Sequence, residues 1–458
     1  MEGSEVHSTD RVERWSRLIS VGAIVVFVGV KAFYGLKSLT GSGVIGPRVI
    51  AGYDTDWYAA AASKSMFSSD FWTAVVPAGY PLLIKLAFEN WRAVVGLQTA
   101  ISIACWIYLA RNLSGLFVSH VAQCVAVVAI MLTGISASFQ IWDVALGTES
   151  LSLALLCGLF GATCKALSTR GRSRDVWVMV AWAAAASITR DSNAALLAPL
   201  AILALMWLGL RRSRPRRVVY FASVGVVLFA AVGSLALSSS GRRWYWQMVD
   251  TVALRVVDNP RAEPYFAERG LPLSPAVLAL HNDYFANGPD LYSRHPRFEA
   301  YQDWIAAHGR DTYYSFLASH PAWIVTRPVE LRSHITSPGF GGQGRQFVYD
   351  IPIDDRTRKL GAIAFPEVDA LRYAILGATL VGAAILLLRK KTRSPGVRWA
   401  AGVGLVAVPH ALIVYHGDAL ELARHAIGVT LQLQIVTIAV LAAVVDAVVS
   451  RRTAPASV

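Results

Sequence analysis

Apolar residues in this chain come in blocks of about 18 to 23, the length that carries a helix across roughly 30 Å of hydrocarbon. That recurrence constrains the fold more than any other feature of the sequence. A segment in such a medium must satisfy its backbone hydrogen bonds internally, so the expected class is an all-α polytopic membrane protein. Composition agrees, with 55% hydrophobic residues and only 16% charged. The net charge of +13 would suggest a nucleic-acid partner in a soluble protein. Here the basic residues cluster between apolar blocks, at Arg11, Arg14 and Arg17, in 165–174, 211–217 and 389–398, and at Arg451 and Arg452. They read as cytoplasmic topology signals, which makes membrane lipids the expected surroundings and leaves no nucleic acid among the partners.

About ten transmembrane helices are expected, at 18–34, 91–109, 116–132, 148–167, two short spans within 176–210, then 218–237, 371–388, 399–415 and 425–449. Each basic cluster then follows an even number of spans, and both termini lie in the cytoplasm. The organisation that results is an N-terminal transmembrane module, 1–237, with a large first external loop, 35–90. A small, mostly helical external domain, 238–369, and a C-terminal transmembrane module, 370–458, follow. Basic residues precede the first apolar block as in a signal peptide, but no small-residue cleavage site directly follows it, so a retained first helix is expected. The four cysteines, Cys105, Cys124, Cys157 and Cys164, lie in or at the end of apolar blocks without a Cys-x-x-Cys pair and read as buried thiols.

Polar chemistry concentrates at the outer boundary. The loop stretch Gly52-Tyr-Asp-Thr-Asp-Trp-Tyr58 holds Asp54 and Asp56 beside aromatics, where a carboxylate can take a proton from an incoming hydroxyl or amine. Asp54 and Tyr58 are four apart, hence on one face if this piece is helical. Thr148 and Glu149 sit at the mouth of the fourth span. Thr189-Arg-Asp-Ser-Asn193 interrupts an apolar run and places Arg190 and Asp191 at or just inside the boundary, where a charge needs a partner or a water-filled cavity. Lys85, Arg92, Arg190 and Arg424 all fall at outer helix ends, against the positive-inside bias, and suit a phosphate or pyrophosphate at headgroup depth. His410 and His416, with Asp418 and Glu421 nearby, lack the tight spacing of a metal site. Phosphate-cradling loops, nucleophile elbows and dinucleotide fingerprints are absent, and the Gly-rich 339–344 reads as a loop. No cofactor is expected and no metal-ligand set is read from the sequence, with metal dependence left open.

In this layout the chain resembles the GT-C superfamily of membrane glycosyltransferases, especially the branch that uses polyprenyl-phosphate sugars, such as protein mannosyltransferases and aminoarabinose transferases. Asp54-Thr-Asp-Trp-Tyr58 with Ala62 is similar to the family's first-loop acidic motif. Asp70-Phe-Trp72 and Gly79-Tyr-Pro-Leu-Leu-Ile-Lys85 resemble the stretch that leads into the second span, and Thr148-Glu149-Ser-Leu matches the polar start of the fourth. Thr189-Arg190-Asp191 and Glu421-Leu-Ala-Arg424-His425 resemble the polar break between middle spans and the Arg-aromatic approach to a late span. The likeness covers most of 34–210 plus the end of the chain, and the central external domain has no counterpart in it. Thr55 stands where many members carry Glu, so either Asp54 or Asp56 is the base, with Asp54 preferred for its spacing to Tyr58.

The resemblance implies an inverting transfer of a sugar from a polyprenyl-phosphate donor to an external envelope acceptor, whether glycan, lipid or protein, at the plasma membrane. Asp54 or Asp56 is the expected general base. Arg190, Arg424, Lys85 and Arg92 are expected at the donor phosphate, with Tyr58, Glu149, Asp191, Glu421 and His425 in support. A non-catalytic envelope-assembly protein and a lipid or solute transporter are the competing expectations.

Overall fold

The structure, a computed structural model, describes residues 2–40, 53–210, 217–280, 291, 295–336, 368–388, 394–417, 419 and 422–452. Glu421, Asp418 and the 339–344 loop lie outside the described residues. The long helices are α1 (Glu2–Thr40), α2 (Trp91–Ser114), α3 (His120–Gly134), α4 (Thr148–Ser168) and α5 (Ser173–Thr189). They continue with α6 (Asp191–Leu210), α7 (Arg217–Ser240), α8 (Asp369–Leu388), α9 (Pro395–Gly417) and α10 (Ile427–Arg452). Among the described residues there is no strand. Seven of these helices, α1, α2, α4, α7, α8, α9 and α10, are long and apolar enough to cross a membrane. The chain is thus an all-α protein of multi-pass membrane type.

Local chemistry sets the helix ends. The Asn90 side chain accepts from the backbone N–H groups of Arg92 and Ala93 and starts α2, and Ser119 does the same for α3 through Ala122, each satisfying donors that a first turn leaves orphaned. α1 is much longer than the expected span at 18–34, because the helix continues through the polar residues on both sides of the apolar block.

Large apolar side chains of α1, α2, α3, α4, α9 and α10 form the main core, with Phe27, Trp106, Ile130, Met131, Phe160, Trp399 and Ile435 buried in it. Close helix approach depends on glycine. A Cβ at Gly158 would lie 2.6 Å from the Trp182 ring of α5, and one at Gly161 would lie 2.7 Å from the Tyr108 ring of α2. With lipid outside as apolar as the side chains inside, such tight packing is what holds helices together.

The connection 135–147, between the expected third and fourth spans, is packed into the interior. From Ile135 to Gly147 every residue whose side chain is described is buried. Irregular backbone can sit inside a bundle only if the protein satisfies it. Gln98 of α2 does so, its Nε2 donating to the carbonyls of Asp143 (2.7 Å) and Ala145 (2.8 Å), while the Thr55 hydroxyl reaches the Leu146 carbonyl (3.1 Å).

Between α7 and α8, the short helices Trp244–Arg255, Glu263–Ala267, Pro296–Trp304, Arg310–Ser319 and Pro321–Glu330 enclose a separate aromatic core that includes Phe266, Phe298, Tyr301, Tyr313 and Phe316. This cluster docks on the end of α9. Arg255 lies over the Tyr415 ring and donates to the Tyr415 carbonyl, while the Tyr313 hydroxyl meets His416 Nδ1 at 3.0 Å.

Candidate functional site

After α1 the chain forms a short helix, Tyr53–Ala62, that carries Asp54 and Asp56 in its first turn, where carboxylates complement the helix dipole. The two acids part company at once. Two positions along a helix turn about 200°, so Asp56 faces solvent and is exposed, while Asp54 and Tyr58 share the inward face. Tyr58 packs edge-on against Tyr80, ring centroids 5.0 Å apart, and its hydroxyl lies 3.4 Å from Thr148 Oγ1. Burial first, then the nearby Asp54 and Glu149 carboxylates, push the Tyr58 phenol far above its ordinary pKa despite the countering Arg424, so it stays protonated.

Four separate stretches of sequence bring charge to this point. Glu149 opens α4, and its side chain is 1% exposed. Arg424, on the short helix Leu422–His425 before α10, donates from Nε to Glu149 Oε1 at 2.7 Å and from Nη2 to Asp54 Oδ2 at 2.5 Å. Arg190 sits in extended backbone between α5 and α6, with Nη2 3.7 Å from Glu149 Oε1 and 2.7 Å from His425 Nδ1. A guanidinium can only donate, so His425 Nδ1 accepts and the proton of the neutral ring is on Nε2. Burial, with the Arg190 and Arg424 charges added, holds His425 well below its ordinary pKa and keeps it neutral. The geometry is specific about size as well. A Cβ at Gly147 would lie 2.5 Å from Glu149 Oε2, so the residue before α4 leaves just the room that carboxylate needs.

Asp191 is turned to other work. It pairs with Arg243 (3.2 Å) and accepts from the Ser238 hydroxyl (2.7 Å), and Arg243 also donates to the carbonyls of Ala74 and Trp72, each at 2.7 Å. Burial lowers the Arg243 pKa and the Asp191 carboxylate works against that. This knot ties the first loop to the ends of α6 and α7. Lys85 pairs at 3.9 Å with Glu89 of its own loop, and Arg92 is exposed at the start of α2, so neither is among the contacts of the Glu149 cluster. The helix Gly79–Leu86, which carries Lys85, is nonetheless pressed against the site's frame. A Cβ at Gly79 would lie 2.5 Å from Thr189 Oγ1, next to Arg190, and the Tyr80 hydroxyl donates to Gln98 (3.1 Å).

His410 and His416 prove to be packing residues of α9. His410 is buried with Nδ1 3.2 Å from Gln432 Oε1, and His416 sits between the Tyr313 hydroxyl and the Ile324 carbonyl. Among the described residues no group of His, Cys, Asp or Glu side chains could hold a metal ion.

One polar centre escapes the sequence reading altogether. Lys31 of α1 and Asp143 of the buried connection form an ion pair with side chains 0% and 3% exposed. Lys31 also donates to Ser102 (3.1 Å) and lies near the faces of Phe27 and Trp106. Asp143 accepts from Ser150 (2.9 Å), the residue after Glu149. The available signal was a single lysine inside an otherwise apolar first span.

No protein-family model and no curated protein sequence matches this chain.

Proposed function

We propose that the chain is a glycosyltransferase of the membrane that takes a sugar from a polyprenyl-phosphate donor and passes it, with inversion, to a glycan, lipid or protein acceptor of the cell envelope. The observation that carries this reading is the convergence of Asp54, Glu149, Arg190, Arg424 and His425 from four distant stretches on one end of the bundle. In the proposed reaction the acceptor O–H or N–H gives its proton to Asp54 and its lone pair forms the bond to the anomeric carbon. The bond from that carbon to the phosphate oxygen breaks, and its electron pair leaves with the polyprenyl phosphate. Arg190 and Arg424, held in place by Glu149, receive the charge that develops there. Lys85 and Arg92 remain available to lipid headgroups at the same rim.

Ten crossings fit this arrangement, with α3, α5 and α6 as short ones of 15, 17 and 20 residues. Contacts at the opposite end support the alternation. Asp446 near the end of α10 accepts from the backbone of Val118 and Ser119 before α3, and the Tyr220 hydroxyl of α7 donates to the Gly171 carbonyl before α5. We place the site on the external face of the plasma membrane and both termini in the cytoplasm.

Membranes holding wild type, Asp54→Asn or Asp56→Asn, offered a panel of labelled polyprenyl-phosphate sugars, test the reading. Transfer by wild type that falls about 100-fold to 10,000-fold in Asp54→Asn, with Asp56→Asn close to wild type, is the expected result. Absence of transfer from every donor by folded wild-type protein with envelope acceptors present would overturn it in favour of an assembly role or transport.

A further inference from the structure

Arg424 is shared unequally between two carboxylates. Its Nε holds Glu149, whose side chain is 1% exposed, and its Nη2 holds Asp54, whose side chain is 42% exposed. An anion arriving from outside competes for the guanidinium, and the two partners differ in what losing it costs. Glu149, buried, would keep only the more distant Arg190, 3.7 Å away, against its charge, which is strongly unfavourable. Asp54 would turn to water at little cost, since an ion pair at this exposure contributes modestly. Arg424 therefore keeps Glu149 and yields Asp54.

We propose, building on the reading above, that the Asp54 carboxylate occupies the seat of the donor phosphate on Arg424, so that phosphate binding is what frees Asp54 to act as base. With no donor, Asp54 Oδ2, one of the two oxygens that could take the acceptor's proton, is occupied by a guanidinium that cannot receive one. The donor phosphate replaces the carboxylate on Arg424 Nη2, beside Arg190, and Asp54 is released within reach of the sugar it has made room for. Its neighbours set the limits of the motion. Tyr58 on the same helix face remains packed against Tyr80, and Thr55 remains bonded to the Leu146 carbonyl, so the side chain swings while the helix stays. Donor binding thus precedes full activation of the acceptor, since it is the phosphate that releases Asp54 Oδ2 from Arg424.

The test is binding, not turnover. Polyprenyl monophosphate, titrated into the purified full chain in lipid nanodiscs, should bind wild type. It should bind Asp54→Asn roughly threefold to tenfold more tightly, because the internal competitor has lost its charge. Asp70→Asn removes one negative charge from an exposed position of the same loop, where the carboxylate contacts only Ser69 among the described residues, and should leave the affinity unchanged. Polyprenol without phosphate should show no gain in Asp54→Asn. Equal or weaker phosphate binding by Asp54→Asn overturns the proposal while leaving the glycosyltransferase reading intact. The same gain in Asp70→Asn, or with polyprenol, overturns it as well, since the effect would then be general charge or the lipid groove. Failure of polyprenyl phosphate to bind either wild type or Asp54→Asn removes the phosphate site itself, and with it both readings.

Discussion

Glu149 is a carboxylate with almost no access to water, and such a group persists as an anion only with cations set against it. Arg190 and Arg424 supply them, and His425 completes the arrangement by accepting from Arg190 while staying neutral. Burial first, then the Arg190 and Arg424 guanidiniums, hold its pKa well below the ordinary 6.5. The folded protein therefore leaves His425 unprotonated at a pH where the unfolded chain already binds a proton. Stability from this residue is complete above about pH 6.5 and is lost as the pH falls, by up to about 1.4 kcal/mol for each pH unit. The melting temperature in detergent should drop between about pH 7.5 and about pH 5, and less so in His425→Asn, which keeps an acceptor near the Nδ1 position. Parallel decline of the two proteins would assign the acid sensitivity to another group. Much of this cluster was legible one residue at a time. Asp54 and Tyr58 share a face because four positions make about one helical turn, and Glu149, Arg190 and Arg424 are charges at the ends of apolar blocks. Which of them touch was not legible, because Asp54 and Arg424 lie 370 positions apart and nothing local records that meeting.

At the scale of elements, the connection from α3 to α4 departs furthest from its sequence. Its two serines, glutamine, aspartate and single glycine read as a solvated turn, yet it is threaded through the bundle and tied down by Gln98, Thr55 and Lys31. Composition cannot distinguish a turn bathed in water from one solvated by other side chains, since both need polar groups. The Lys31–Asp143 pair has a structural consequence that follows from its position. Asp143 bonds Ser150 in the first turn of α4, so the pair fixes the helix start from which Glu149 projects. Lys31→Met alone would strand a buried aspartate and should cost about 3–5 kcal/mol, whereas pairing it with Asp143→Leu removes both charges and should restore much of that stability. Thermal unfolding of the purified single and double variants measures the difference. A single variant as stable as wild type would show that water, not Lys31, compensates Asp143.

For the whole molecule, the site requires that the turns after α1, before α4, after α5 and before α10 emerge on one face, although on the ten-crossing proposal successive ones are separated by two, two and four crossings. The ion pairs that join Asp54, Glu149, Arg190 and Arg424 are short, at 2.5 to 3.7 Å, so the ends of these helices cannot be divided between two sides of a bilayer. Between any two of them the chain must therefore cross an even number of times, which makes the short helices α3, α5 and α6 decisive. Were α3 not to cross, α4 would begin on the wrong side for Glu149 to meet Asp54. Reporter fusions after Ser238 and after Arg393 test the count over the chain's second half, since on the ten-crossing proposal the first follows seven crossings and the second eight. The first should report outside and the second inside. A reversed report at either position would be incompatible with ten crossings from a cytoplasmic N-terminus, and the external assignment of the Asp54–Arg424 cluster would fall with it.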